Sequence, residues 1–281
     1  MLTRRACQRT FRMRPHPVTN QITTYCLAWA ANKCGVLVHA AVVMSNHVHV
    51  VITDVRGCLP DFLREYHRSL AKALNASQGQ WENLWSCEQT SAVLLPTLDD
   101  VIAKVAYTAA NPVAAALVAQ PKQWPGLLRW EPGSMVAERP RVYFDPHGKA
   151  PESVELRICP PPGVDEDHWT ERCRAAIADK VERAHAEVAK QGMQFLGADA
   201  VMKKSFLQRA KSYQVKRAIN PVLAARDVFV RKACQKVLRG FRKAYAVALA
   251  AWRVGERSVA FPDGTWWMRV HHRAEVLPAA A

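Results

Sequence analysis

The chain of 281 residues has no uninterrupted apolar run long enough to cross a membrane as a helix, which takes about 18 residues or more. No transmembrane span is expected. Its eight cysteines are scattered, and none forms a C-x-x-C pair, which argues against a thiolate zinc site and against a disulfide scaffold. Several lie inside apolar stretches, where a free thiol behaves as a small hydrophobe. A cytoplasmic, nucleoid-associated location is the expectation. The first ten residues are basic, with no apolar stretch or cleavage site behind them, so a secretory signal is not expected. There is no internal repeat, and no low-complexity tract beyond a short Ala/Pro-rich tail. Acids are scarce: 24 Asp and Glu stand against 39 Lys and Arg.

The excess of base is the first positive feature. A formal charge of +15 and a pI near 9.7 point to a polyanionic partner. The charge is also concentrated. Val201 to Tyr245 holds thirteen Lys and Arg and one acid, Asp227, a net of +12. A surface built only for solubility mixes both signs, so a nucleic-acid backbone is the expected partner, with binding that weakens steeply in salt. Lys203, Lys204, Arg209, Lys211, Lys216 and Arg217 are the expected contacts. The bases of a long helix within 224–253 extend that surface.

With 49% of residues apolar, a proper core is available, and periodicity suggests how it is built. Residues 8–14 alternate basic or polar with apolar, a strand pattern that Pro15 and Pro17 end. Asn20 is the expected N-cap of a helix running to about Lys33, and Gly35 stops it. Val36–Met44 and His47–Thr53 read as strands joined by Ser45-Asn46. Leu59–Ala76 is a helix with Arg64, Arg68 and Lys72 in one basic stripe at i, i+4, i+8, either a solvated face or, beside the candidate site, a row of expected DNA-phosphate contacts. Ala92–Leu95 is a short strand, and Leu98–Ala110 is a helix from a Thr97 N-cap, broken or kinked at Pro112. The order β-α-β-β-α-β-α predicts an α+β fold: a ferredoxin-like antiparallel sheet with helices on one face. After a boundary within 125–140, residues 131–281 are expected to form a mainly helical basic extension. It has strand candidates at Arg141–Phe144 and Val154–Ile158 and a polar helix over Glu166–Lys190. Ser258–Phe261 and Trp266–Val270 are strand-like pieces.

His47-Val48-His49 is the sharpest local motif. Two histidines at i and i+2 on a strand leave from the same face, close enough to hold one metal. An isolated H-x-H pair is nevertheless more often structural than ligating. A histidine-triad hydrolase needs a third histidine where Val51 stands, so that reading fails. Tyr107 precedes Asn111-Pro112-Val113 by one helical turn, which puts Tyr107 and Asn111 on one face. A tyrosine hydroxyl can attack a phosphodiester where a cation offsets the charge on the phosphate. Asn111 can supply a third ligand or bond the attacking group. Trp81 and Trp85 can stack bases, though packing is commoner for tryptophans in such loops. Glu65 and Glu82 suit a solvated surface better than a metal site.

These pieces stand in a familiar order. Val42-Val43-Met44-Ser45-Asn46-His47-Val48-His49-Val50-Val51 resembles the M-P-N-H-V-H-L-L block of the insertion-sequence HUH transposases with a single catalytic tyrosine. Trp81 to Trp85 resembles their G-x-x-W segment, and Tyr107 to Val118 their Y-x-x-x-N-P-V-x-A-G-L-V block. The resemblance covers roughly residues 8–130, or a catalytic unit of 1–130, and is nearest to the REP-associated tyrosine transposases. Ser45 replaces the family's proline, Ala116 its glycine, and Ala106 puts no acid beside Tyr107.

The resemblance implies that His47 and His49 bind Mg²⁺ or Mn²⁺ and that Tyr107 attacks single-stranded or hairpin DNA. The product would be a covalent 5′-phosphotyrosine. The active site could be built from one chain or two, so a homodimer is among the expected states. Two other classes are weighed beside it: a non-catalytic DNA-binding descendant acting as repressor or architectural factor, and an unrelated metal-dependent phosphodiesterase acting on RNA.

Overall fold

Eight residues of Val36–Val43 and eight of His47–Asp54 form the central hairpin of the sheet, turning at Ser45 and Asn46. They are seen in a computed structural model that describes all residues except 144, 146, 147, 212–220 and 279–281. In chain order the elements are β1 (Leu2–Arg5), α1 (Pro17–Cys34), β2 (Val36–Val43), β3 (His47–Asp54), α2 (Leu59–Gln78), β4 (Ser91–Ala92) and α3 (Leu98–Ala114). These are followed by β5 (Leu128–Arg129), β6 (Gly133–Glu138), β7 (Ser153–Ile158), α4 (Glu166–Lys190), α5 (Ala198–Lys203), α6 (Val228–Arg253) and α7 (Trp266–His272).

The first four strands lie in the order β4-β1-β3-β2, each pair antiparallel. This is the split β-α-β arrangement expected from the element order, and the chain is α+β. Beyond β2 the sheet continues through β7, paired in parallel, and then β6; β5 also pairs with β2. Residues past 130 therefore share the sheet and its core. Leu156 and Ile158 of β7 pack in one cluster with Leu2, Ile22 and Phe62. Packing continuity thus runs through the 125–140 boundary expected from composition.

Alternation along β3 sets the two layers. Val48 and Val50 face α1 and α2, against Tyr25, Leu27, Phe62 and Leu70. Val51 faces the other way, onto Ile102 and Val105 of α3 and Trp169 and Cys173 of α4. Helices on one face hold only for α1 and α2. The reverse face is covered too, because Ala40 of β2 and Val51 of β3 are apolar there and α3 and α4 offer apolar faces to match.

Several boundaries differ from the sequence pattern. The first strand lies at Leu2–Arg5, not at 8–14, where Cys7–Arg9 make a single 3-10 turn with Gln8 at φ 51°. The alternating residues 8–14 spend their backbone groups elsewhere: Met13 N–H donates to Ser45 O at 2.9 Å and Phe11 N–H to Gln208 O at 2.8 Å. The first helix starts at Pro17, three residues before Asn20, since proline suits the first helical turn, and Gly35 ends it at φ 67°. Helix α3 carries Pro112 in its last turn and reaches Ala114. Of the expected strand Arg141–Phe144, Arg141 and Val142 form a turn, and Phe144 lies outside the described residues. Trp266–His272 is helical, and Ser258–Phe261 supplies only the bridge between Phe261 and Val276. Among the described residues no helix is long and apolar enough to cross a membrane.

Candidate active site

β3 presents His47 and His49 to the face that α3 covers. Their rings stand 4.7 Å apart, centroid to centroid, and the His49 ring meets Tyr107 edge-on at 5.3 Å. Three residues scattered from 47 to 107 thus converge. Asn111, one turn beyond Tyr107, lies close enough to His47 to act on its charge. The continuation of α3 through Pro112 keeps Asn111 within the helix and on the Tyr107 face.

Each histidine is fixed through Nδ1. His47 Nδ1 pairs with Asn46 Oδ1 at 2.7 Å and His49 Nδ1 with Thr3 Oγ1 at 2.8 Å. An Nδ1–H donating to an oxygen puts the lone pair on Nε2, the arrangement of an imidazole ready to ligate. His49 Nε2 is buried and has no partner. A buried ring nitrogen with no partner is costly, and a ligand there would satisfy it. The residues present therefore fit a metal ion held by His47, His49 and the Asn111 amide oxygen. Among the described residues no group of three His, Cys, Asp or Glu is placed to hold a metal.

Burial holds both histidines neutral. Desolvation, with the charges of Arg5 and Arg9 against the opposing effect of Asn111, puts His47 at about 4. His49 falls well below the ordinary histidine value through desolvation, His47, Arg5 and Lys104. Several cations act on the pair. Thr3 and Arg5 of β1 pair directly with His49 and His47. The Lys104 ammonium lies 5.5 Å from the Tyr107 ring centre. Desolvation and the nearby Lys180 lower its own pKa.

Among the described tyrosines Tyr107 is the only exposed one, at 41%. Tyr25 and Tyr66 are buried, and burial raises both hydroxyl pKa values, that of Tyr25 to about 12.

No protein-family model matches the chain, and no curated protein or solved structure does.

The other expected contacts divide. Arg64, Arg68 and Lys72 are exposed on α2, whose Phe62, Tyr66 and Leu70 pack on the far side of the sheet from Tyr107. Their placement beside the site is corrected: the same alternation that brings His47 and His49 to one face sends α2 to the other. Arg64 is paired with Asp61 at 2.6 Å. Glu65 binds Lys33 at 2.8 Å on that same far side, and Glu82 is exposed.

Lys203, Lys204, Arg209 and Lys211 are exposed. Arg209 bridges to Thr10, with Ala210 N–H donating to Arg9 O at 3.3 Å, so this stretch lies along the loop whose Arg9 charge reaches His47. Lys216 and Arg217 lie outside the described residues. Trp85 is buried, edge-on to His67 at 5.1 Å with Arg4 5.2 Å from its ring, and is a packing residue; Trp81 is 87% exposed.

Thr3, Arg5, Arg9 and Lys104 escaped the sequence reading. Lys104 had a signal, three residues before Tyr107 on the same helix. Thr3 and Arg5 were hidden by the strand assigned to 8–14.

Proposed function

We propose that this protein is a metal-dependent transposase-like endonuclease that cleaves and rejoins single-stranded, hairpin-forming DNA through a covalent phosphotyrosine. One observation carries the reading: the exposed Tyr107 stands edge-on to His49, whose buried Nε2 has no partner. A bound Mg²⁺ or Mn²⁺ would polarise the scissile phosphate and offset its charge.

The chain supplies the rest. Tyr107 Oη attacks phosphorus; the bond from phosphorus to Oη forms as the bond to the 3′-oxygen breaks. The phenol proton passes to water, and the departing 3′-oxygen takes one up. One strand leaves with a free 3′-hydroxyl and the other stays attached through its 5′-phosphate. Attack by a second 3′-hydroxyl reverses the step and rejoins DNA with no external energy, because the phosphotyrosine conserves the bond. Thr3 and Asn46 hold the two imidazoles in orientation, and Asn111 completes the ligand set. Arg5 and Lys104 balance charge on the phosphate.

The test is a labelled hairpin oligonucleotide with Mg²⁺ or Mn²⁺. Wild type should form a covalent adduct that chelator and Tyr107→Phe both abolish. Equal cleavage by Tyr107→Phe would reject Tyr107 as nucleophile. A non-catalytic DNA-binding descendant would give binding with no adduct; the intact, exposed Tyr107 favours the active form.

A further inference from the structure

Helix α6 (Val228–Arg253) carries seven cations, Arg231, Lys232, Lys236, Arg239, Arg242, Lys243 and Arg253, and no acid. At 3.6 residues per turn all seven fall within about 140° of its circumference and run roughly 33 Å along its axis. Apart from the half-buried Arg231 they are exposed. Among the described residues no carboxylate forms a salt bridge with any of them. The helix therefore has one purely cationic side.

The C-terminal part of the opposite side is closed, while Phe229 and Val237 nearer the N-terminus are exposed. Tyr245, Ala248, Leu249 and Trp252 pack against Phe261, Met268 and Ala274 in a small core of their own. A helix lying on a membrane buries its apolar side in lipid; here the C-terminal half of that side is occupied by the chain itself. A second copy of the chain would bring two rows of like charge together. What remains is a rigid polyanion. Helical phase places Phe241, Tyr245 and Trp252 outside the cationic arc and leaves the exposed Phe229 alone at its N-terminal edge, so the arc offers no row of rings of the kind on which successive single-stranded bases stack. Its length matches about ten base pairs, one turn of duplex.

We propose that α6 grips the phosphate backbone of duplex DNA without reading sequence. The identity of the polyanion as DNA, the stem of a hairpin, rests on the nuclease reading; the ridge rests on its own charge and geometry. Contacts to phosphate position a protein and carry no sequence information directly.

Fluorescence anisotropy with a blunt duplex of about 20 base pairs, titrated with salt, tests it on the full chain. The variant Lys236→Gln/Arg239→Gln/Arg242→Gln/Lys243→Gln keeps good helix formers, and circular dichroism checks its helicity. Its duplex Kd should rise at least tenfold, and its log–log salt slope should flatten by about three to four. Arg231→Gln/Lys232→Gln, at the other end of the ridge, should give a smaller change in the same direction. Unchanged Kd and slope in the well-folded quadruple variant would overturn the proposal. So would tenfold tighter binding to an RNA duplex, or binding to phosphatidylglycerol vesicles where duplex is not bound. Loss of duplex binding in that variant, with no adduct from wild type, would support the ridge while rejecting the nuclease reading.

Discussion

Tyr107 has Lys104 one turn before it and Asn111 one turn after it on one side of α3, and His47 and His49 leave one side of β3, so packing α3 on β3 brings them together. This part of the site is legible in the sequence: H-x-H on a strand and Y-x-x-x-N on a helix are local patterns. Thr3 and Arg5 are not legible, since only the pairing of β1 with β3 brings them to the histidines, and pairing joins residues far apart in the chain. Thr3 offers a test. Thr3→Val removes the oxygen that orients His49 at 2.8 Å while keeping shape, and loss of such a supporting hydrogen bond typically costs 10- to 100-fold in metal affinity. Calorimetric titration with Mn²⁺ should show a loss of about tenfold, and His49→Ala a greater one. Equal affinity in Thr3→Val would mean that His49 is not a ligand.

Among the elements, α3 shows how a departure from the family pattern is accommodated. Where the resemblance expects glycine, Ala116 follows the helix end at φ 52°, in the left-handed region that a Cβ disfavours. Its conformation is held by Ala116 N–H donating to Val113 O at 2.9 Å and by Leu196 N–H donating to Ala116 O at 2.9 Å. Ala116→Gly should raise stability by up to about 1 kcal/mol, seen as a higher urea midpoint; a lower midpoint would show that the buried methyl matters more than the strain. The strand pattern at 8–14 misled for a related reason. Alternation marks a half-buried extended segment, and this one is used in turns against Ser45 and Gln208. Trp266–Val270 looked like a strand because Trp and Val favour strands, yet the helix Trp266–His272 packs Met268 into the small core beside α6.

On the scale of the whole molecule, composition located the basic segment but not the extent of the core, which runs on through β7 and α4. That core encloses uncharged histidines. Burial, with the charge of Arg4, brings His67 down to about 3, and burial lowers His39 as well. Unfolded histidine takes a proton near pH 6.5, so below that pH the unfolded chain binds more protons than the folded one. Stability should then fall as pH drops from about 6.5 toward 3, each unit of pKa separation contributing roughly 1.4 kcal/mol. Urea midpoints at about pH 7.5 and 5 should differ clearly, and His67→Gln should lessen the difference. A midpoint flat down to pH 5 would mean that these histidines are protonated in the fold.

The central claim is that Tyr107 becomes bonded to DNA. The most direct measurement is mass spectrometry of the peptide left attached to a hairpin oligonucleotide after incubation with Mg²⁺ or Mn²⁺ and proteolysis. The account predicts a nucleotide 5′-phosphate on the peptide that contains Tyr107. A linkage to any other of the six tyrosines, or cleavage with no linked peptide, would contradict it.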